Sequence, residues 1–318
     1  MVSRKPSTPA TVLLSATFAA RIGWRDRTVV LLAALFFAMV LVSAYLGWSA
    51  TATVNAIYAK AVPVFQAEGK PVPPNPVGET PALSLLRNMV TYVALLGALA
   101  ALVLGHEVVA ADRKAGVLPL IFSRPVSRSG LALGKIGALT LTVVAVLAAA
   151  GSVNILTMLL LPGLALDGAV WLGLIAFYGV AALYMLAFGL LGAICAAAFE
   201  TETMALLTPV SIWLALTFIV PQVTANIGPM AALNPQSVNL EIPGGSFFAA
   251  TSALLGPLSI AESYRFLSAS ILEVASGAGA TTTTGGAMFS LLFANLALAA
   301  AFIAVMARLD ACRSGYRD

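Results

Sequence analysis

Charge is scarce in this sequence. Asp, Glu, Lys and Arg make up 9% of its 318 residues, with a single histidine, His106, and two cysteines, Cys195 and Cys312. An ordinary soluble domain carries roughly 25% charged residues, so water is not the main solvent of this chain. With one histidine and no CxxC pair, no spacing suggests a metal centre or a disulfide framework, and both cysteines read as free thiols.

Catalytic motifs are missing in the same way. The run Gly130-Leu-Ala-Leu-Gly134-Lys135-Ile136 has one residue too few between its glycines and lacks the hydroxyl that would hold magnesium, so it is not a phosphate-binding loop. Gly105-His106-Glu107-Val108-Val109-Ala110 lacks the second histidine one turn on that would complete a zinc face. His106 is expected at a helix end, and no serine–histidine–aspartate triad assembles around it. The chain is assigned no catalytic residue, no metal ligand and no cofactor of its own.

What is present is apolar. Hydrophobic residues make up 60% of the sequence and mean hydropathy is +0.97. Six stretches are long enough to cross a hydrocarbon core of about 30 Å as helices: residues 28–48, 88–105, 136–160, 169–198, 204–222 and 286–307. None of them holds Asp, Glu, Lys, Arg or His. The fold class is therefore an all-α polytopic membrane protein, with residues 1–27 as a leader and 28–318 as one membrane domain. The first apolar run has no Ala-x-Ala cleavage pattern and is expected to stay as an anchor.

The cations set an orientation. Arg4, Lys5, Arg21, Arg25 and Arg27 precede the first stretch, Arg113, Lys114, Arg124, Arg128 and Lys135 fill the joint between the second and third, and Arg308, Arg313 and Arg317 follow the last. The other side keeps only Lys60, Lys70, Arg87 and Arg265. The positive-inside rule places both termini in the cytoplasm of a cell inner membrane. Clustered at the ends of the stretches, the cations point to lipid and topology rather than to nucleic acid.

Residues 8–27 read as a surface helix, with Thr8 as its N-cap and Pro9 in its first turn. On the far side, the segment from Ser49 to Arg87 holds a proline-rich stretch, Pro71, Pro73, Pro74, Pro76 and Pro81, that reads as an extended loop. Residues 257–276 carry Ile260, Tyr264, Leu267, Ile271 and Val274 at helical spacing opposite Glu262, Arg265 and Glu273. That pattern suits an amphipathic helix lying at the interface or packed as an external cap. Gly189, Gly192, Ala193, Ala196 and Ala197 offer a small-residue surface for close helix contact, within one bundle or between two. Pro209 frees a backbone carbonyl in the fifth stretch and marks a kink or a hinge.

The joint carries the most information. Asp112-Arg-Lys-Ala-Gly116-Val-Leu118 leads through Leu120, Ile121 and Phe122 to Ser123-Arg124-Pro125-Val126-Ser127-Arg128, then Gly134-Lys135. Its apolar residues suit a short helix at the membrane face that Pro125 ends. This stretch resembles the joint of the type-2 (ABC-2) ABC transporter permeases, and its turn is similar to that of the subgroup acting in nitrous oxide reductase maturation. Val117 departs from the threonine, and Lys114 from the second acid, common in that family.

The resemblance implies an export permease whose joint is the coupling helix seated in a separate cytoplasmic ABC ATPase, where ATP and magnesium bind. It implies Asp112, Gly116, Leu118, Arg124, Pro125 and Arg128 as coupling positions, and a second permease copy or paralogue beside this one. No external Met or His cluster supports a metal substrate. An uncharged path suits an amphipathic or lipid-linked one. The rival readings are a membrane scaffold or assembly factor, and a secondary transporter coupled to sodium through carbonyls and hydroxyls such as Thr157, Thr208 and Ser211.

Overall fold

Backbone inside hydrocarbon must satisfy its own hydrogen bonds, which makes helices of long uncharged runs. The computed structural model describes residues 27–79, 81–117, 127–161, 164, 166–225, 245–255, 259–273 and 283–309. Among them, six helices are long and apolar enough to cross a membrane: α1 (Arg27–Ala67), α3 (Ala82–Lys114), α4 (Arg128–Leu159), α5 (Gly168–Ala198), α6 (Glu202–Thr224) and α9 (Thr284–Arg308). Three short helices, α2 (Pro76–Glu79), α7 (Ser246–Leu255) and α8 (Ile260–Ile271), lie in the segments between them. The surface helix expected over residues 8–27 lies outside the described residues but for its last position.

Local chemistry sets several helix ends. Asp167 caps α5 through the amide of Val170 at 2.9 Å, and Thr283 caps α9 through Gly286 at 3.1 Å. Ser259 accepts from the amide of Glu262 at 3.2 Å, the serine half of a Ser-x-x-Glu capping box.

α5 is the hub. It packs against α3, α4, α6, α8 and α9, while α1 lies against α3 and α4. The most apolar windows of α3 and α5 are each 72% buried, against 22% for α1 and α6 and 17% for α9, so the first two form the interior and the others face lipid or partners. The α3–α5 crossing is made on glycine. A Cβ added to Gly105 would sit 1.8 Å from the Gly189 carbonyl oxygen, and one at Gly192 would sit 2.1 Å from that of Leu102. The small-residue surface of α5 is thus filled from within the same chain.

One boundary is corrected. The first stretch, expected to end near Trp48, runs on as helix to Ala67, while residues 71–75 of the proline-rich stretch are without regular structure, as expected. Hydrophobicity falls after Trp48, but no helix breaker occurs before Pro63, so the helix outlasts the apolar run. Of the two readings of α8, the packed one holds. Both faces are covered, with Tyr264, Leu267 and Ser268 buried together with Arg265. Tyr264 stacks on Tyr184 of α5 with ring centroids 4.3 Å apart, and Glu262 accepts from Thr224 of α6 at 2.9 Å. Burial pushes the Arg265 guanidinium below its ordinary range, and the nearby Glu262 carboxylate pulls it back up. α8 is a packed cap.

Candidate functional site

The ionic side chains gather where α3 ends and α4 begins. Asp112, in the last turn of α3, accepts from Lys135 of α4 at 2.6 Å, and Lys135 also donates to the carbonyl of Val108. Lys135 is 3% exposed and Asp112 7%. Two charges this deep are stable only with each other and with further hydrogen bonds. Here the Val108 carbonyl supplies one more.

Arg113, one residue on, turns the other way. Its Nη1 donates to the carbonyls of Ala196 and Phe199, each at 2.6 Å, and so ties α3 to the C-terminal end of α5. A cation there also suits the helix dipole. Arg113→Leu is expected to lower the thermal unfolding midpoint, since hydrogen bonds to a charged donor are worth about 1.5–3 kcal/mol. Arg113→Lys should recover only part: an ammonium keeps the charge and the donors, but the lysine stem ends one bond short of the position that Nη1 occupies. A midpoint unchanged in Arg113→Leu would exclude this role.

Lys114 bridges outward, 2.6 Å from Glu202 in the first turn of α6 and 3.4 Å from Glu107. His106 is 1% exposed, its Nδ1 is 3.3 Å from Glu107 Oε1, and neither ring nitrogen has a well-directed hydrogen bond among the described residues. It lies inside α3, eight residues before the helix ends, which corrects its expected place at a helix end.

The joint itself spans residues 115–127. Gly116, at φ +63°, lets the chain leave α3: its amide reaches the Arg113 carbonyl at 3.2 Å, and the Val117 amide reaches that of Asp112 at 3.2 Å, the double bond of a Schellman motif. At the other root, Ser127 caps α4 through the amide of Gly130 at 3.1 Å, and Arg128 donates to the Ala307 carbonyl at the end of α9 at 2.7 Å. Leu118, Arg124 and Pro125 lie outside the described residues. Pro209 sits in α6 on the buried face it shares with Ala205 and Trp213, nearly two turns before a π-helical stretch, Ala215–Ile219.

Asp112 and Gly116 therefore stand at the α3 root of the joint and Arg128 at its α4 root, whereas Pro209 stands apart. Sequence reasoning missed Lys135 as the partner of Asp112 and Arg113 as the cap of α5. It also took the crossings to be free of ionisable groups; the helices run past the apolar windows and carry His106, Glu107, Asp112, Arg113 and Lys135 within them.

Six apolar crossings with α5 as their hub, and a buried ion pair and capping arginines at one end, define a multi-pass membrane protein. Residues 19–310 match the profile of the ABC-2 family transporter protein, and the chain belongs to that family. It is accordingly a membrane component of an ABC transporter, a permease subunit of the kind that associates with an ABC ATPase. No curated protein matches it.

Proposed function

We propose that the chain is the membrane subunit of an ATP-driven exporter in the cell inner membrane, driven by a separate cytoplasmic ATPase that binds the ATP and magnesium. The charged end faces the cytoplasm by the positive-inside rule. The joint is the contact with the ATPase, with Leu118, Arg124 and Pro125 at the contact and Asp112, Gly116 and Arg128 holding its roots.

One observation carries this reading. Both roots of the joint are tied into the bundle, at α3 by the Asp112–Lys135 pair and the Arg113 cap on α5, and at α4 by the Arg128 bond to α9. A push on the joint reaches four crossings at once instead of being absorbed by a slack loop. Pro209, which cannot donate to the carbonyl of Ala205, gives α6 a place to bend in response.

A second copy or a paralogue completes the path, and the charge-free middles of the crossings suit an amphipathic or lipid-linked substrate. The turn from Ser123 to Arg128 supports kinship with the nitrous oxide reductase maturation subgroup. Arg124→Glu tests the contact. Stimulation of the co-purified ATPase is expected to fall to the rate of the ATPase alone, with the thermal midpoint of the membrane protein unchanged. Stimulation at the wild-type level would remove Arg124 from the contact. The single change is preferred to one that includes Arg128, because Arg128 also bonds the end of α9.

A further inference from the structure

α1 is longer than a membrane needs. Its 41 residues extend about 60 Å at 1.5 Å per residue, twice a hydrocarbon core of about 30 Å. With Arg27 at the charged end, the core is crossed by about Leu46, next to Tyr45 and Trp48, whose rings lie 6.1 Å apart as an aromatic anchor at the far interface. Ser49–Ala67 therefore stands out of the membrane as an arm.

One side of the arm is covered by its own chain. Tyr58 donates to the Pro73 carbonyl at 2.8 Å and Asn75 donates to Asn55 at 2.9 Å, so the proline segment runs back along the helix. The adjacent side is bare and apolar. Ala50, Val54, Ile57, Ala61 and Val64 follow one another at steps of four, three, four and three, which is a heptad seam. Val54 is 38% exposed, Ile57 63% and Val64 56%. The seam holds no charge, and Glu68 beyond its end is paired with Lys70 at 2.8 Å.

We propose that the arm pairs with the arm of a second copy of this chain as a short parallel coiled coil on the far side of the membrane. The inference rests on the dimer reading above. Two copies inserted with the same orientation carry their arms parallel, and α1, whose apolar window is only 22% buried, leaves a face on which the two can meet, the geometry in which a heptad seam pairs with itself. Lys60 then flanks the seam facing the stem of Phe65 on the other arm, not the other Lys60. Fewer than three heptads bury far less than the roughly 1,200 Å² of a stable interface. A free soluble partner would not be held by so small a seam, whereas a copy anchored in the same bilayer is held by its effective concentration.

The test is cysteine crosslinking of the full chain in lipid, in a Cys312→Ser background with Cys195 left buried. Ile57→Cys and Val64→Cys lie on the seam; Ala59→Cys and Gln66→Cys lie on the opposite side. The expected result is at least about five-fold more disulfide dimer at the seam positions than at the others. Native mass spectrometry of the same samples separates the readings. A dimer without seam crosslinks overturns the arm pairing and leaves the dimer standing, and a monomer overturns both. Protection of Ile57→Cys from an aqueous maleimide without crosslinking assigns the seam to lipid or to another protein, and likewise overturns the proposal.

Discussion

Gly192→Ala is expected to cost the full-length protein much of its folded yield and to lower its thermal midpoint by more than any surface change. The added Cβ would lie 2.1 Å from the Leu102 carbonyl oxygen and 3.0 Å from its carbon, and both are backbone atoms that no rotamer change removes. α3 and α5 must separate along the contact on which the interior of the bundle is built. Overpacking an interior costs about 1–3 kcal/mol when side chains can give, and more is expected where two backbones meet. Gly105→Ala, 1.8 Å from the Gly189 carbonyl, should behave alike. Gly179→Ala on the same α5 is the control: nothing lies within 4 Å of its Cβ, so its midpoint should hold or rise slightly. Equal midpoints for Gly179→Ala and Gly192→Ala, read by thermal unfolding in lipid nanodiscs, would show that the α3–α5 crossing is not where stability resides.

The second large effect is at the Asp112–Lys135 pair. Replacing one partner leaves the other charged and buried, which typically costs about 3–5 kcal/mol, whereas replacing both with apolar residues of similar volume is often neutral. Asp112→Leu and Lys135→Met are each expected to destabilise strongly, and the double variant to recover most of the loss. The double-mutant cycle on unfolding midpoints measures this directly. Additive effects would mean that the 2.6 Å contact carries no coupling and that the α3 root of the joint is held by Arg113 alone.

Much of the architecture was legible in the sequence because hydrocarbon is an unforgiving solvent. Each uncharged run of about 20 residues became a crossing. The helix starts that the apolar windows located closely are those where a capping residue stands at the window's edge, Asp167 before α5 and Thr283 before α9. Elsewhere the apolar window and the helix parted company. Charge does not stop a helix if the charge finds a partner, so α3 runs nine residues past Gly105 to Lys114, and α4 starts eight before Ile136 at Arg128.

The site was half legible for the same reason. Asp112 and Gly116 stood out within the joint, yet the partner of Asp112 lies 23 residues on, in another helix, and the carbonyls that Arg113 covers lie more than 80 residues on. The Arg113 bonds exist only once α3 and α5 have closed on Gly105, Gly189 and Gly192, and the Asp112 pair only once α4 lies against α3. The small-residue surface of α5 was readable, but whether α3 or another copy would fill it was not.

If, as proposed, this chain converts ATP hydrolysis on a partner into movement of its crossings through the α3–α4 joint, the partner must respond to it. That response is read from the ATPase rate of a co-purified candidate ATP-binding-cassette subunit in lipid, with and without this chain at matched concentration. The expected result is a stable complex whose turnover differs from that of the ATPase alone. Failure of every candidate subunit to associate, or an unchanged rate within a stable complex, would contradict it and leave the joint as a topology signal on a scaffold or a secondary transporter.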